Sequence, residues 1–418
     1  MIENIEEALT WLYNQKKSHK REDLSRIKEC ITLLNIKIEY PILHIAGTNG
    51  KGSTASYLSQ MLMLKGKRVG LFVSPYVISF NERIEVNGNY ISDEEVLAYT
   101  KRLEEFSKSY QETYQDTIPF FELTFLMALL YFEKQNIEVL VLECGLGGLL
   151  DVTNALDKKV AIITNIGYDH MAQLGNTLEE IAYHKLGITR VGVPCFTAVD
   201  ETLMPYFKNY AELHNVDMHF VKPLISNIFM DYEGTHFTYD TIGYQTTLKG
   251  LYQAYNASLA IAVMKYLDPN YPKELIDTAL KNTTWPGRFE YIKKNIILDG
   301  AHNIDGIKAL TETLKQSYPN TRIKVIFTAL KDKAFPEMLK SLDKVTYKYY
   351  FTTILDKRAS SASDFTSFTE KSYEVIEDYK EAISYATKNL EEEELLVITG
   401  SLHFISEARK EILEVFKK

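Results

Sequence analysis

The chain is poor in cysteine, carries no excess of positive charge and has no long uninterrupted apolar run, and each shortage excludes something. Its three cysteines, Cys30, Cys144 and Cys195, lie far apart and form no CxxC pair. A disulfide framework or a zinc site built on cysteine pairs is therefore not expected, and a reducing compartment fits. Lys and Arg total 47 against 56 Asp and Glu, a formal net charge of -9. A general nucleic-acid binder would need a basic face, so no nucleic-acid partner is expected. The most apolar run, Phe120 to Phe132, contains Glu122 and Thr124. It falls short of the roughly 18 apolar residues that cross a bilayer, so it predicts a buried helix and no membrane partner. Met1 to Gln15 carries Glu3, Glu6 and Glu7 without an early basic cluster. It does not read as a signal peptide, and the expected location is the cytoplasm.

What is present is an ordinary globular composition, 45% hydrophobic and 25% charged, in 418 residues. That length predicts two or three domains. Short apolar runs at Ile42–Ala46, Val69–Val73, Glu138–Glu143, Val160–Thr164, Pro194–Ala198, Ile296–Asp299, Ile323–Phe327 and Glu394–Thr399 predict strands. Amphipathic stretches such as Ser53–Lys65, Phe121–Lys134 and Ile304–Ser317 predict helices between them. Such alternation predicts an α/β fold with mostly parallel sheets covered by helices. Between Asp200 and Gly250 the rhythm weakens, and alternation around Gly234–Thr247 predicts antiparallel strands. Trp285-Pro286-Gly287-Arg288 joins a turn to a rigid aromatic. A boundary is placed there, giving residues 1–288 and 289–418 as two units. Glu391–Glu394 reads as a solvated turn.

The sharpest motif is Leu43-His44-Ile45-Ala46-Gly47-Thr48-Asn49-Gly50-Lys51-Gly52-Ser53-Thr54. An apolar strand runs into a glycine-rich turn, and a helix follows. Glycines let backbone N–H groups approach phosphate oxygens, Lys51 adds a positive charge, and the helix N-terminus completes an anion site. The spacing differs from the standard phosphate loop, because Gly52 separates Lys51 from Ser53. The competing reading is a turn that merely caps a helix.

Three further segments follow strands or close helices. Glu143 ends an apolar strand and leads into Gly145-Leu146-Gly147-Gly148-Leu149-Leu150-Asp151. A carboxylate there is costly unless it holds a cation or a proton, and Mg²⁺ bridging nucleotide phosphates is the natural partner. Helix capping is the plainer alternative. Asn165-Ile166-Gly167-Tyr168-Asp169-His170 leaves the next strand, so His170 is expected near Glu143 and the phosphate loop at one sheet edge. Thr177 with Glu180 has capping-box spacing, and Gly187 suits a helix end. Lys185 then falls in the last turn, where local sequence favours a cation complementing the helix dipole.

Together these segments resemble the folylpolyglutamate synthase/dihydrofolate synthase family, within the Mur ligase superfamily. The likeness runs in family order through His44–Thr54, Ser74-Pro75 with Phe80–Ile84, Glu143–Asn154, Thr164–His170, His184–Ile188, Trp285–Glu290, Asp299–Asn303 and Thr399–Leu402. The resemblance implies an N-terminal P-loop-type nucleotide-binding domain, a smaller C-terminal Rossmann-like α/β domain and an active site between them. It implies an ATP-dependent ligase that joins L-glutamate to the glutamate tail of a folate through an acyl phosphate, and it suggests a monomer. It implies ATP contacts at Gly47, Thr48, Asn49, Gly50, Lys51, Gly52, Ser53, Thr54, Asn256, Arg288 and Asp299. Mg²⁺ ligation is implied at Ser53, Ser74, Glu143, His170 and Lys185, with Lys185 carbamylated by CO₂, which overturns the plainer reading of that lysine. Lys51, Lys185, Asp299 and His302 are the expected catalytic residues. Arg83, Phe121, Glu122, Leu150, Asp151, His302 and Ser401 are the expected substrate contacts. Leu149, His184, Leu186 and Pro119 depart from common family residues and weigh against dihydropteroate as an acceptor. A bifunctional enzyme that also uses dihydropteroate, a peptidoglycan-precursor ligase and a P-loop protein without ligase chemistry are the alternatives.

Overall fold

The computed structural model describes residues 2–15 and 23–415. Its first sheet has eight strands: β1 (Ile42–Ala46), β2 (Val69–Phe72), β3 (Ile84–Val86), β4 (Asn89–Tyr90), β5 (Val139–Glu143), β6 (Val160–Ile163), β7 (Cys195–Thr197) and β8 (Met218–Phe220). Their order across the sheet is β4-β3-β2-β5-β1-β6-β7-β8. From β2 to β8 every pairing is parallel, and β3 and β4 add an antiparallel edge. The alternation of apolar runs with helices therefore gives the expected doubly covered parallel sheet. Successive strand residues point to opposite faces, so Leu43, Ile45, Leu71 and Val141 pack against the helices Lys51–Leu64 and Gln253–Leu267. Ile42, Phe72, Leu140 and Leu142 pack on the other face against the helix Phe120–Lys134. That helix is the predicted apolar run, buried in the core; no described helix is long and apolar enough to cross a membrane.

The weak-rhythm region forms a separate antiparallel sheet of β9 (Ile225–Met230), β10 (Thr235–Tyr239) and β11 (Ile242–Thr246). The last sheet contains β12 (Glu290–Lys293), β13 (Ile296–Leu298), β14 (Arg322–Phe327), β15 (Thr346–Thr353), β16 (Ser372–Asp378) and β17 (Glu394–Thr399). Its order is β12-β13-β17-β14-β15-β16, parallel except for β12. Ile297, Val325 and Val397 face one cluster, while Ile296, Leu298, Ile326, Leu396 and Ile398 face another. Two mixed α/β units result, each around its own largely parallel sheet.

Two local expectations are corrected. Glu394 is not solvated: it is 5% exposed and holds Lys324 at 2.5 Å, at the start of β17. Gly187 does close the helix Leu178–Leu186, but with φ of -59°, so no left-handed turn requires it. Space requires it instead, since a Cβ there would lie 2.5 Å from Leu149 Cβ.

Candidate active site

The carboxyl ends of β1, β5 and β6 open on one side of the first sheet, where doubly wound folds place ligands. The turn after β1 carries Gly50 with φ of +83°, a left-handed backbone that favours glycine. The helix then begins at Lys51, so its free N–H groups face the turn. Lys51 Nζ donates to its own loop, at 3.1 Å from Gly47 O and 3.3 Å from Thr48 O. Glu143 Oε1 lies 3.9 Å away. Ser53 accepts a bond from Gln253 Nε2 at 3.3 Å. Thr54 departs from expectation: it is fully buried, its hydroxyl has no partner among the described residues, and it is absent from the cleft lining. One step along the helix from Ser53 rotates it into the core.

Glu143 is 4% exposed at the end of β5. Its other oxygen accepts from Ser74 N at 3.3 Å. Burial pushes its carboxyl up to about 7, against the pull of Lys51 and the Ser74 amide. Such a group wants a cation. Lys185 is also buried, at 3% exposure, and its ammonium has no hydrogen-bond or ion-pair partner among the described residues. Burial and the nearby Lys51 push it down to about 7. Lys185 does stand in the last turn of the helix Leu178–Leu186, as expected, but its charge is held out of water. His170 lines the same cleft, in the loop after β6. Its Nε2 lies 3.9 Å from Asp169 Oδ2, and its backbone N–H donates to Asp169 Oδ1 at 2.9 Å.

The second unit supplies the opposite wall. Asp299 follows β13 and is 3% exposed. It accepts bonds from Phe289 N and Ala301 N, each at 2.9 Å, and from Tyr252 OH at 3.0 Å. Burial pushes its carboxyl up, against Arg288 and these donors. His302 Nδ1 meets Gly300 O at 2.9 Å. Asn256 donates to Gln253 and packs beside Gly50. Asn256, Arg288, Asp299, His302 and Ser401 line one cleft of about 1210 Å³ together with Gly47–Ser53, Ser74, Glu143, His170 and Lys185.

The expected substrate contacts Arg83, Phe121, Glu122, Leu150 and Asp151 line this cleft too, in differing states. Arg83 is 7% exposed against the Tyr76 and Phe120 rings, and its Nε has no hydrogen-bond partner among the described residues. Burial pulls its guanidinium down from the ordinary value. Glu122 is not free: Arg26 clamps it at 2.5 and 2.8 Å. Asp151 is also engaged, receiving Leu146 N at 2.7 Å, Thr153 N at 3.1 Å and Thr153 Oγ1 at 2.5 Å. It ties the Gly145–Asp151 loop down.

Sequence reasoning missed Arg26, Gln253 and Lys333, and quoted Asn303 only as the end of the Asp299–Asn303 motif. It quoted Asp169 only as the neighbour of His170. Strand periodicity carries no signal for such residues, because their partners lie far away in the chain; Arg26 and Glu122 are 96 positions apart.

Similarity to known proteins agrees with this geometry. Residues 45–264 match the Mur ligase middle domain, and residues 287–402 match the Mur ligase glutamate ligase domain. A dihydrofolate synthase/folylpolyglutamate synthase of Bacillus subtilis (strain 168) is 36% identical over 99% of this chain and 100% of its own length. A folylpolyglutamate synthase of Thermotoga maritima superposes with a TM-score of 0.81 at 30% identity, over 97% of this chain and 96% of that one. The Mycobacterium tuberculosis folylpolyglutamate synthase complexed with ADP and AMPPCP gives 0.88 at 25% identity, over 97% of each chain. On that combined extent and identity, the chain belongs to the folylpolyglutamate synthase/dihydrofolate synthase family of Mur ligases.

Proposed function

We propose that this chain uses ATP to join L-glutamate, by an amide bond, to the glutamate tail of a reduced folate. The observation that carries the reading is the single cleft in which the Gly47–Ser53 loop, Glu143 and Lys185 face Asp299 and His302. A nucleotide's phosphates fit the loop amides and Lys51, because the helix N-terminus and the Lys51 ammonium stand at the same turn. Asn256 and Arg288 border the same space and would hold the rest of the nucleotide.

A divalent ion, Mg²⁺ in this proposal, fits the donors present. Glu143 is a buried carboxylate whose ion-pair contact is Lys51 at 3.9 Å, and Ser53, Ser74 and His170 line the same cleft. Lys185 would join them as a carbamate, since a buried amine without a partner is receptive to CO₂ and gains an acidic oxygen pair. When bound, such an ion would neutralise charge on the phosphate oxygens.

The folate carboxylate, steered by Arg83, attacks the γ-phosphorus of ATP; the bond to the β,γ-bridging oxygen breaks and ADP leaves, giving the acyl phosphate. Lys51 and the loop N–H groups stabilise the charge on the transferring group, so catalysis is positioning and electrostatics. The glutamate amine, held between the units by His302 and Ser401, then attacks the acyl carbon and phosphate leaves. Asp299 orients Tyr252 and the turn that carries Arg288. In this reading residues 1–288 bind nucleotide and folate, residues 289–418 bind glutamate, and the enzyme works as a cytoplasmic monomer.

A second acceptor is dihydropteroate, because the Bacillus subtilis relative is named for both activities. Mass analysis of products from a tetrahydrofolate and a dihydropteroate, each with ATP and glutamate, separates the two readings. Lys51→Ala is expected to abolish glutamate-dependent ADP release; release at the wild-type rate would defeat the role given to Lys51.

A further inference from the structure

The two units meet through polar groups that the reaction outlined above leaves unused. Lys333, in the loop after β14, donates to Asp169 Oδ1 at 2.6 Å, with the two side chains 10% and 8% exposed. The other Asp169 oxygen accepts from Asn303 Nδ2 at 3.0 Å and faces His302 Nε2 at 3.5 Å. Asn303 in turn exchanges amide bonds with Asn49 of the phosphate loop, at 3.2 and 3.1 Å. Tyr168 N to Asp305 Oδ2, at 2.9 Å, runs across the same seam.

A desolvated ion pair with saturated neighbours holds its geometry tightly, whereas loss of one partner leaves a buried charge uncompensated. Here the pair stands at the cleft, and its hydrogen-bonded neighbour Asn303 touches the loop that cradles phosphates. Asn49 thus stands in the phosphate loop and in the contact between the units at once.

We propose that Asp169, Lys333 and Asn303 form a clasp that keeps the two units shut over the activated carboxylate, with Asp169 and Lys333 as positioning residues that exclude water. The inference rests on the ligase reading above. With the clasp broken, water replaces the glutamate amine as nucleophile at the acyl carbon. A carbon–oxygen bond to water forms and the carbon–oxygen bond to phosphate breaks. The free folate carboxylic acid and inorganic phosphate are released, so ATP is consumed without an amide.

The test uses the full chain with ATP, Mg²⁺, a tetrahydrofolate and glutamate, and compares ADP released with amide formed, the latter by mass. Wild type should yield the two in equal amounts. Lys333→Met and Asp169→Asn should each release ADP in excess of amide, on the order of tenfold. The double variant should be no worse than the worse single, because both changes remove one ion pair. Equal amounts in both singles, or multiplying effects in the double, would overturn the clasp. If a variant makes neither product, small-angle scattering with ADP bound decides: a larger radius of gyration than wild type with an unchanged helical spectrum supports the clasp, and an unchanged radius sinks it. A wild type that forms no amide would defeat the ligase reading, while the scattering comparison would still judge the clasp.

Discussion

Gly52 offers a test in which two opposing effects have different sizes. The helix Lys51–Leu64 would ordinarily prefer alanine to glycine, by up to about 1 kcal/mol and less in a first turn. A Cβ on Gly52, however, would lie 2.4 Å from Trp285 Cζ2 and 2.8 Å from Cε2. The ring is wide and rigid and packs against the core of the first unit, so it yields poorly. Forcing a methyl into such a space costs about 1–3 kcal/mol. Gly52→Ala is therefore expected to destabilise the protein by about 1–2 kcal/mol net of the propensity gain. With Trp285→Ala in place the obstruction is gone, and the same change should stabilise by a few tenths to about 1 kcal/mol. Urea unfolding of wild type, both singles and the double closes the cycle, with an equal slope in all four as the check on compactness. ADP affinity should fall in Gly52→Ala, because the displaced ring or helix start disturbs the loop amides. A Gly52→Ala protein as stable as wild type, or one with the same effect in both backgrounds, would refute the packing argument. This contact also accounts for the unusual glycine between Lys51 and Ser53: it is room for a ring that arrives from a distant turn.

Two other perturbations follow from buried charge. Arg26→Met leaves Glu122 buried without its bidentate partner and should cost about 3–5 kcal/mol in urea unfolding, whereas Arg26→Met with Glu122→Met should cost far less. Lys158 is 7% exposed, and burial, with Arg190 beside it, pushes its ammonium from 10.5 down to about 7. Its folded value lies below its unfolded one, so the penalty is complete below pH 7 and is relieved as pH rises toward 10.5. Wild type should accordingly gain up to about 5 kcal/mol relative to Lys158→Met across that window; a flat difference between the two proteins would contradict the assignment.

The strands at Ile42–Ala46 and Glu394–Thr399 were legible to the residue, because buried parallel strands read as continuous apolar runs. The antiparallel β10 and β11 were legible as alternation around a turn. By contrast β16, with Tyr373 and Val375 exposed, is a half-wet edge strand, and its pattern merges with that of loops. The cleft residues after β1, β5 and β6 announced themselves through glycines and misplaced polar groups. Glu122 and Asp151 were located in the cleft, but the saturation of their oxygens by Arg26 and by nearby backbone was invisible. Lys333 was missed altogether, since nothing within its own loop marks a lysine whose partner stands 164 residues earlier. Local pattern reports what a segment must bury; it does not report what will arrive to meet it.

The place of β17 bears on how the molecule is made. That strand enters between β13 and β14, in the middle of its sheet, although every other described strand precedes it in the chain. Until Glu394–Thr399 emerges, β13 and β14 have no common neighbour, and the wall that bears Asp299 and Ser401 stays unassembled. A nascent chain can therefore complete its phosphate loop long before it has anything to close over it. Premature termination ahead of β17 would leave a hole through the sheet's centre rather than a trimmed margin, and quality control would meet an unfinished half beside a finished one.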